Sequence, residues 1–299
     1  MKRSNIFLIS ILLTAILSCS PARQGSTFSS QQTAGVIGGT HEMDEIVFKS
    51  TVGISIEEMH TCSGAYIGKG RVLTAAHCFY SDSGLVYHPK FVSFFAPSTS
   101  EELPSVSQNC NVVDLQTPGN FTGPSTYWIN DVAILKLDEA SCDLQKVQAF
   151  SLPASDEELW QQTTSSSGVG NQRYGSNFGH FFPMKSLLNS PLQRVQTREQ
   201  LSQIFDALNS VDWDPISKEQ WVRDMTQALK YLSCYQPPSD DGPTLYFGDS
   251  GGPTYVRGES GELVLLGTFS SLYAPTMKGR VKMSCISKSS AYRDWIDSH

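Results

Sequence analysis

Short runs of β-branched and aromatic residues, closed by Gly, Pro, Ser or Asn, recur from Val36 to the end of the chain. The clearest lie at 52–56, 63–67, 71–74 and 132–137 in the first half, and at 192–197 and 263–269 in the second. Runs this short, divided by turn residues, predict an all-β sandwich or barrel. Between 198 and 231 the period changes. Leu201, Ile204, Phe205 and Leu208 recur at helical spacing, as do Trp221, Met225, Ala228 and Leu229. Pro215 separates the two helices, and Ser217 with Gln220 reads as a capping box that opens the second. Tyr292, Trp295 and Ile296 share one face of a last short helix. No internal repeat is visible.

Ahead of this pattern lies a segment of another kind. Lys2 and Arg3 form a short positive stretch, and 6–17 is apolar but short for a bilayer span. It runs into Ile16-Leu17-Ser18-Cys19, which is similar to a bacterial lipobox, although Leu17 stands where a small residue is usual. We therefore read 1–19 as a signal with Cys19 as its lipidated end; the alternative is an ordinary secretory signal with Cys19 discarded. Either reading exports the chain. Residues 20–35, rich in Ser, Gln, Thr and Gly, are a tether or propeptide. The ordered part divides into 36–145 and 146–299, with the join near 138–153 and the helical insertion at about 198–231. No later segment is apolar enough to cross a membrane, so membrane contact is expected only through an N-terminal lipid.

Composition narrows the function. Hydrophobic content of 39% and charged content of 17% fit an ordered globular protein. A formal charge of -7 without a basic cluster argues against nucleic acid as a partner. His41, His60, His88 and His180 lack ligand spacing with Cys or carboxylates, so neither metal nor other cofactor is expected. Setting Cys19 aside leaves six of the seven cysteines: 62, 78, 110, 142, 234 and 285. In an exported chain these form disulfides, and several pairings are open.

The chemistry is concentrated in Gly248-Asp249-Ser250-Gly251-Gly252-Pro253. It sets a hydroxyl in a turn of small residues, where a serine becomes a nucleophile only beside an oriented base. Thr74-Ala75-Ala76-His77-Cys78 supplies the base, and Asn130-Asp131 before an apolar strand supplies the orienting carboxylate. The order His77, Asp131, Ser250 separates this chain from α/β-hydrolases, where serine comes first and histidine last. The arrangement resembles the trypsin/chymotrypsin family of serine proteases.

That resemblance implies two antiparallel six-stranded β-barrels, with the helical insertion in the second half and a C-terminal helix. It implies His77 as general base, Asp131 as its orienting partner and Ser250 as nucleophile, with the N–H groups of Gly248 and Ser250 as oxyanion hole. A Cys62–Cys78 bridge beside the histidine follows from the same source. Cys110–Cys142 and Cys234–Cys285 are pairings by proximity within each half. The family's frequent bridge next to the nucleophile is missing, because Tyr246 stands where its cysteine would be.

Val36-Ile37-Gly38-Gly39 resembles the family's mature start, whose freed α-ammonium pairs with the aspartate before the nucleophile, here Asp249. Gly35 precedes the cut, so the activating protease is not of trypsin type, or is the chain itself. An uncleaved linker is the alternative. Thr244 falls at the floor of the primary pocket and Ser270, Ser271 and Leu272 at its wall. Leu272 is expected to narrow the entrance, giving a shallow, neutral pocket for small or medium apolar side chains. Polypeptides are the expected substrates, acted on by a monomer. The helical insertion is read as a structural cap, with partner binding or substrate gating as its alternatives. A catalytically silent protease-fold binding protein remains the competing function.

Overall fold

A two-residue strand, β1 (Thr40–His41), begins the regular structure. The computed structural model describes residues 36–299 apart from 38, 42–43, 57–59, 82–83, 86, 98–104, 120, 122–127, 156–158, 163, 171–183, 188–192, 209–216, 241 and 276–279. The signal, Cys19 and the tether therefore lie outside the described residues, as does Pro215. Helix α1 (Glu45–Ser50) follows, started by the Asp44 side chain, which accepts from the Ile46 N–H at 2.8 Å.

Strands β2 (Thr51–Ile56), β3 (His60–Gly68) and β4 (Arg71–Thr74) pair in sequence as antiparallel neighbours. A small hairpin, β5 (Tyr80–Ser81) with β6 (Gly84–Leu85), leaves the barrel wall before β7 (Pro89–Phe95), β8 (Val106–Gln116) and β9 (Ala133–Leu137) complete it. The order β2-β3-β4-β9-β8-β7 closes on itself. Closure leaves no free edge, and Val52, Ile54, Val72, Val92, Phe94 and Leu135 fill the interior.

The second half contains β10 (Ser165–Gly168), β11 (Lys185–Leu187), β12 (Gln193–Arg194), β13 (Leu232–Gln236), β14 (Pro253–Arg257), β15 (Leu263–Tyr273) and β16 (Met283–Lys288). Together with β1 they form an eight-stranded half-barrel, ordered β1-β11-β10-β14-β15-β16-β13-β12. The all-β fold with two barrel-like halves agrees with the sequence reading. The halves differ in that only the first closes among the described residues. In addition, β1, from before the expected boundary, pairs with β11 of the second half.

Between β12 and β13 stand α2 (Arg198–Leu208) and α3 (Lys218–Ala228), at the predicted positions. The capping box is complete on α2. Thr197 Oγ1 accepts from the Gln200 N–H at 3.2 Å, and Gln200 Oε1 accepts from the Thr197 N–H at 3.0 Å. On α3 only the Ser217 arm forms, at 3.2 Å, because the Gln220 amide turns to Asp224 instead. Leu201, Ile204, Leu208, Trp221, Val222 and Met225 bury one shared core against Tyr273 and Met283 of the sheet. Helix α4 (Arg293–Ser298) closes the chain, with Ile296 fully buried between the halves.

Three disulfides fix this arrangement: Cys62–Cys78, Cys110–Cys142 and Cys234–Cys285. Cys234 and Cys285 are direct register partners on β13 and β16, so their bridge ties two neighbouring strands of the half-barrel together.

Candidate functional site

Two short turns and one loop bring the predicted residues together. His77 lies on a single helical turn, Ala76–Cys78, directly after β4, and the Cys62–Cys78 bridge ties that turn to β3. Asp131 ends a turn in which Trp128 and Asn130 take φ of 61° and 64°. Its own N–H donates to the Trp128 carbonyl at 3.2 Å. The Asn130 N–H donates to the Tyr292 hydroxyl at 2.8 Å. Burial, with the Asp131 charge nearby, pushes the Tyr292 phenol well above its usual range. Tyr292 is therefore a neutral anchor for this turn.

Asp131 is fully buried, and three donors converge on its carboxylate. The His77 N–H reaches Oδ1 at 2.8 Å, His77 Nδ1 lies 2.8 Å from Oδ2, and Ser270 Oγ donates to Oδ2 at 2.6 Å. Enclosing a carboxylate without such partners would be costly. On the other side of the ring, His77 Nε2 lies 2.8 Å from Ser250 Oγ. The His77 side chain keeps 21% of its exposure and Ser250 8%, so the ring is reachable and Ser250 is largely buried. Asp131, His77 and Ser250 thus form one unbroken hydrogen-bonded line.

The loop around Ser250 is held by β3. Ser63 Oγ donates to the Gly248 carbonyl at 2.9 Å, and the Ser63 N–H donates to the Ser250 carbonyl at 2.8 Å. Gly248 adopts φ of 89°, a conformation open to glycine, and its peptide turns so that the carbonyl faces Ser63. Among the described residues neither the Gly248 nor the Ser250 N–H donates to a backbone acceptor. Gly251, at φ 79°, packs so closely on Thr74 and the Ser63 backbone that any Cβ there would overlap them.

Asp249 is also fully buried, its carboxylate accepting from the Tyr246 N–H at 2.9 Å and the Gly170 N–H at 3.1 Å. Burial outweighs these two bonds and pushes its pKa up to about 7. Val36 is likewise buried, packed with Trp160, Tyr235 and Leu245. In the continuous chain its nitrogen is a peptide nitrogen, and among the described residues Asp249 accepts from those two backbone donors.

Of the expected pocket residues, Thr244 is buried, and its Oγ1 lies 3.0 Å from Ser284 Oγ. Ser284 escaped the sequence reading because it reaches Thr244 only through the pairing of β16 with its neighbours, which no local pattern announces. Ser271 is buried on β15, and Leu272 packs against the core that holds Val36. Ser270 supports Asp131 as well as lying on the strand expected to form the pocket wall. Ser63 and Trp128 were also missed; Trp128 stands edge-on to the His77 ring, with centroids 5.2 Å apart. Among the described residues no group of His, Cys, Asp and Glu gathers to hold a metal, and no helix is long and apolar enough to cross a membrane.

Comparison with known proteins turns this geometry into a family assignment. The sequence profile described as Trypsin matches residues 37–296. This chain belongs to the trypsin family. Chymotrypsin-C of Rattus norvegicus is 24% identical over 295 residues, covering 96% of each chain, and the Mus musculus protein of that name is equally similar over 294. A stretch of 78 residues is 40% identical to serine protease Hayan of Drosophila melanogaster, 11% of that protein. Among solved structures, HL collagenase matches with a TM-score of 0.59 at 21% identity, over 88% of this chain and 97% of its own. A mutant of human heparin binding protein matches with 0.56 at 21% identity, over 88% and 96%. The structural likenesses establish the trypsin-type fold. Family membership supports a serine protease hydrolase with polypeptide substrates.

Proposed function

We propose that this trypsin-family chain is an exported serine endopeptidase working through His77, Asp131 and Ser250. The observation that carries the reading is the Asp131–His77–Ser250 line, with 2.8 Å at each step. Ser250 Oγ attacks the scissile carbonyl carbon while its proton passes to His77 Nε2, and Asp131 holds the tautomer that accepts it. The carbonyl oxygen gains negative charge, which the N–H groups of Gly248 and Ser250 stabilise; one such donor contributes about 2.7–4 kcal/mol. His77 returns the proton to the leaving amine as the C–N bond breaks. Water then repeats the sequence on the acyl-enzyme and frees Ser250. Three intact partners at hydrogen-bond distance weigh against a silent binding protein.

Activation by cleavage before Val36 is part of the proposal. A new ammonium there would meet a carboxylate whose burial now opposes its charge. Export is supported by three disulfides, which persist in oxidising compartments, and by the signal-like 1–19 with Cys19. For specificity, Thr244 joined to Ser284 makes a neutral floor without a carboxylate to draw Lys or Arg.

The test is digestion of a diverse peptide library by protein beginning at Val36, with the fragment ends read by mass spectrometry. Cuts after small or medium apolar residues are expected, and none from the Ser250→Ala variant. Cutting after Lys or Arg would overturn the pocket assignment. Undiminished cutting by Ser250→Ala would overturn the mechanism.

A further inference from the structure

Trp128 sits where three parts of the molecule meet. Its ring stands edge-on to the His77 imidazole, with centroids 5.2 Å apart and planes at 77°. Phe121, packed on the core of the closed barrel, lies 6.2 Å from the same ring. Trp128 and Ile129 both pack against the core built by α2, α3 and Tyr273. The backbone shows that this position is imposed from outside: φ at Trp128 is 61°, a region that bulky side chains avoid. Such a conformation persists only where the surroundings over-determine it, and it gathers at functional sites. Three residues on, the same turn delivers Asp131.

We propose that Trp128 is a positioning residue for His77 and that the helical insertion holds it there. This rests on the base role given to His77 above. The imidazole is fixed at both nitrogens only while Ser250 keeps its proton. Once that proton has moved, the Nε2 contact must be remade toward the leaving amine, and a ring with 21% exposure has room to swing out. The indole, packed against the imidazole, closes that route without taking a hydrogen bond from the ring. The insertion supplies the apolar surface that keeps Trp128 in its strained conformation. Its core is therefore linked to the hold on His77, beyond capping the sheet.

The test compares the parent with Trp128→Ala, Trp128→Phe and Ile204→Ala, using Ile204→Val where the alanine variant does not fold. Two quantities are read: kcat and KM on a chromogenic peptide amide, and the low-field proton NMR resonance of the His77–Asp131 hydrogen bond. Trp128→Ala is expected to lower kcat by about 10- to 100-fold, as small misplacements at a reacting centre do. KM should change far less, and the resonance should weaken. Trp128→Phe should restore both. Ile204→Ala should lower kcat in the parent but add nothing in the Trp128→Ala background. A Trp128→Ala enzyme with parental kcat and an intact resonance overturns the proposal, as does a phenylalanine variant no better than alanine. Equal losses from Ile204→Ala in both backgrounds would remove the insertion from it. Fluorophosphonate labelling of the parent tests the protease reading separately, and an unlabelled parent still reports Trp128 through the resonance.

Discussion

Asp131 and Asp249 are both fully buried carboxylates, yet their surroundings differ in one respect that decides their chemistry. Asp131 has three donors, one of them the Ser270 hydroxyl at 2.6 Å. A hydrogen bond to a charged group contributes about 1.5–3 kcal/mol, so Ser270→Ala should cut kcat by about 10- to 100-fold while folding survives. Asp131→Asn, which presents the wrong hydrogen-bonding pattern to His77, should cost about 10⁴ in kcat. Steady-state kinetics on one peptide amide measure both. Among the described residues Asp249 has two backbone donors, and its pKa stands at about 7 against an ordinary 3.8. Between those values the folded, uncleaved chain binds more protons than the unfolded one, so this group makes stability fall as pH rises from about 4 to about 7. Urea unfolding of uncleaved Ser250→Ala protein across that window should show the decline, and Asp249→Asn should flatten it.

At the scale of elements, what could be read in advance followed from periodicity. The insertion was legible because Leu201, Ile204, Leu208, Trp221 and Met225 bury a single face. Met225→Ala should therefore lower unfolding stability by about 2–5 kcal/mol, measured by denaturant titration. Strand β10 was not legible, since Ser165–Gly168 shows no apolar alternation. It is buried through hydroxyls instead: Ser166 lies 2.8 Å from Thr254 Oγ1, and Ser167 lies 2.6 Å from Ser186 Oγ. Helix α1 was missed because it is a six-residue helix whose start rests on the Asp44 cap. The residues of the hydrogen-bonded line, His77, Asp131 and Ser250, were legible from motif and order. Ser284 and Trp128 were not, since one depends on strand register and the other on a left-handed backbone turn. Gly251 tests the close packing of the loop on β3. Gly251→Ala has no space for its methyl group and should lose both activity and thermal stability, read by calorimetry beside the kinetics.

Across the whole molecule, the site lies at the junction of the halves. The closed barrel supplies His77 and Asp131, the half-barrel supplies Ser250 and Ser270, and β3 clamps the nucleophile loop through Ser63. Relative placement of the halves therefore sets the 2.8 Å step from His77 to Ser250, and the shared core of Phe48, Ile134, Leu265 and Ile296 maintains that placement. The most direct measurement is fluorophosphonate labelling of protein beginning at Val36, with the adduct located by mass spectrometry. The account predicts one adduct, on Ser250, that is lost when His77 is replaced by Ala. Folded, processed protein that takes no adduct, or labels equally fast without His77, would contradict it.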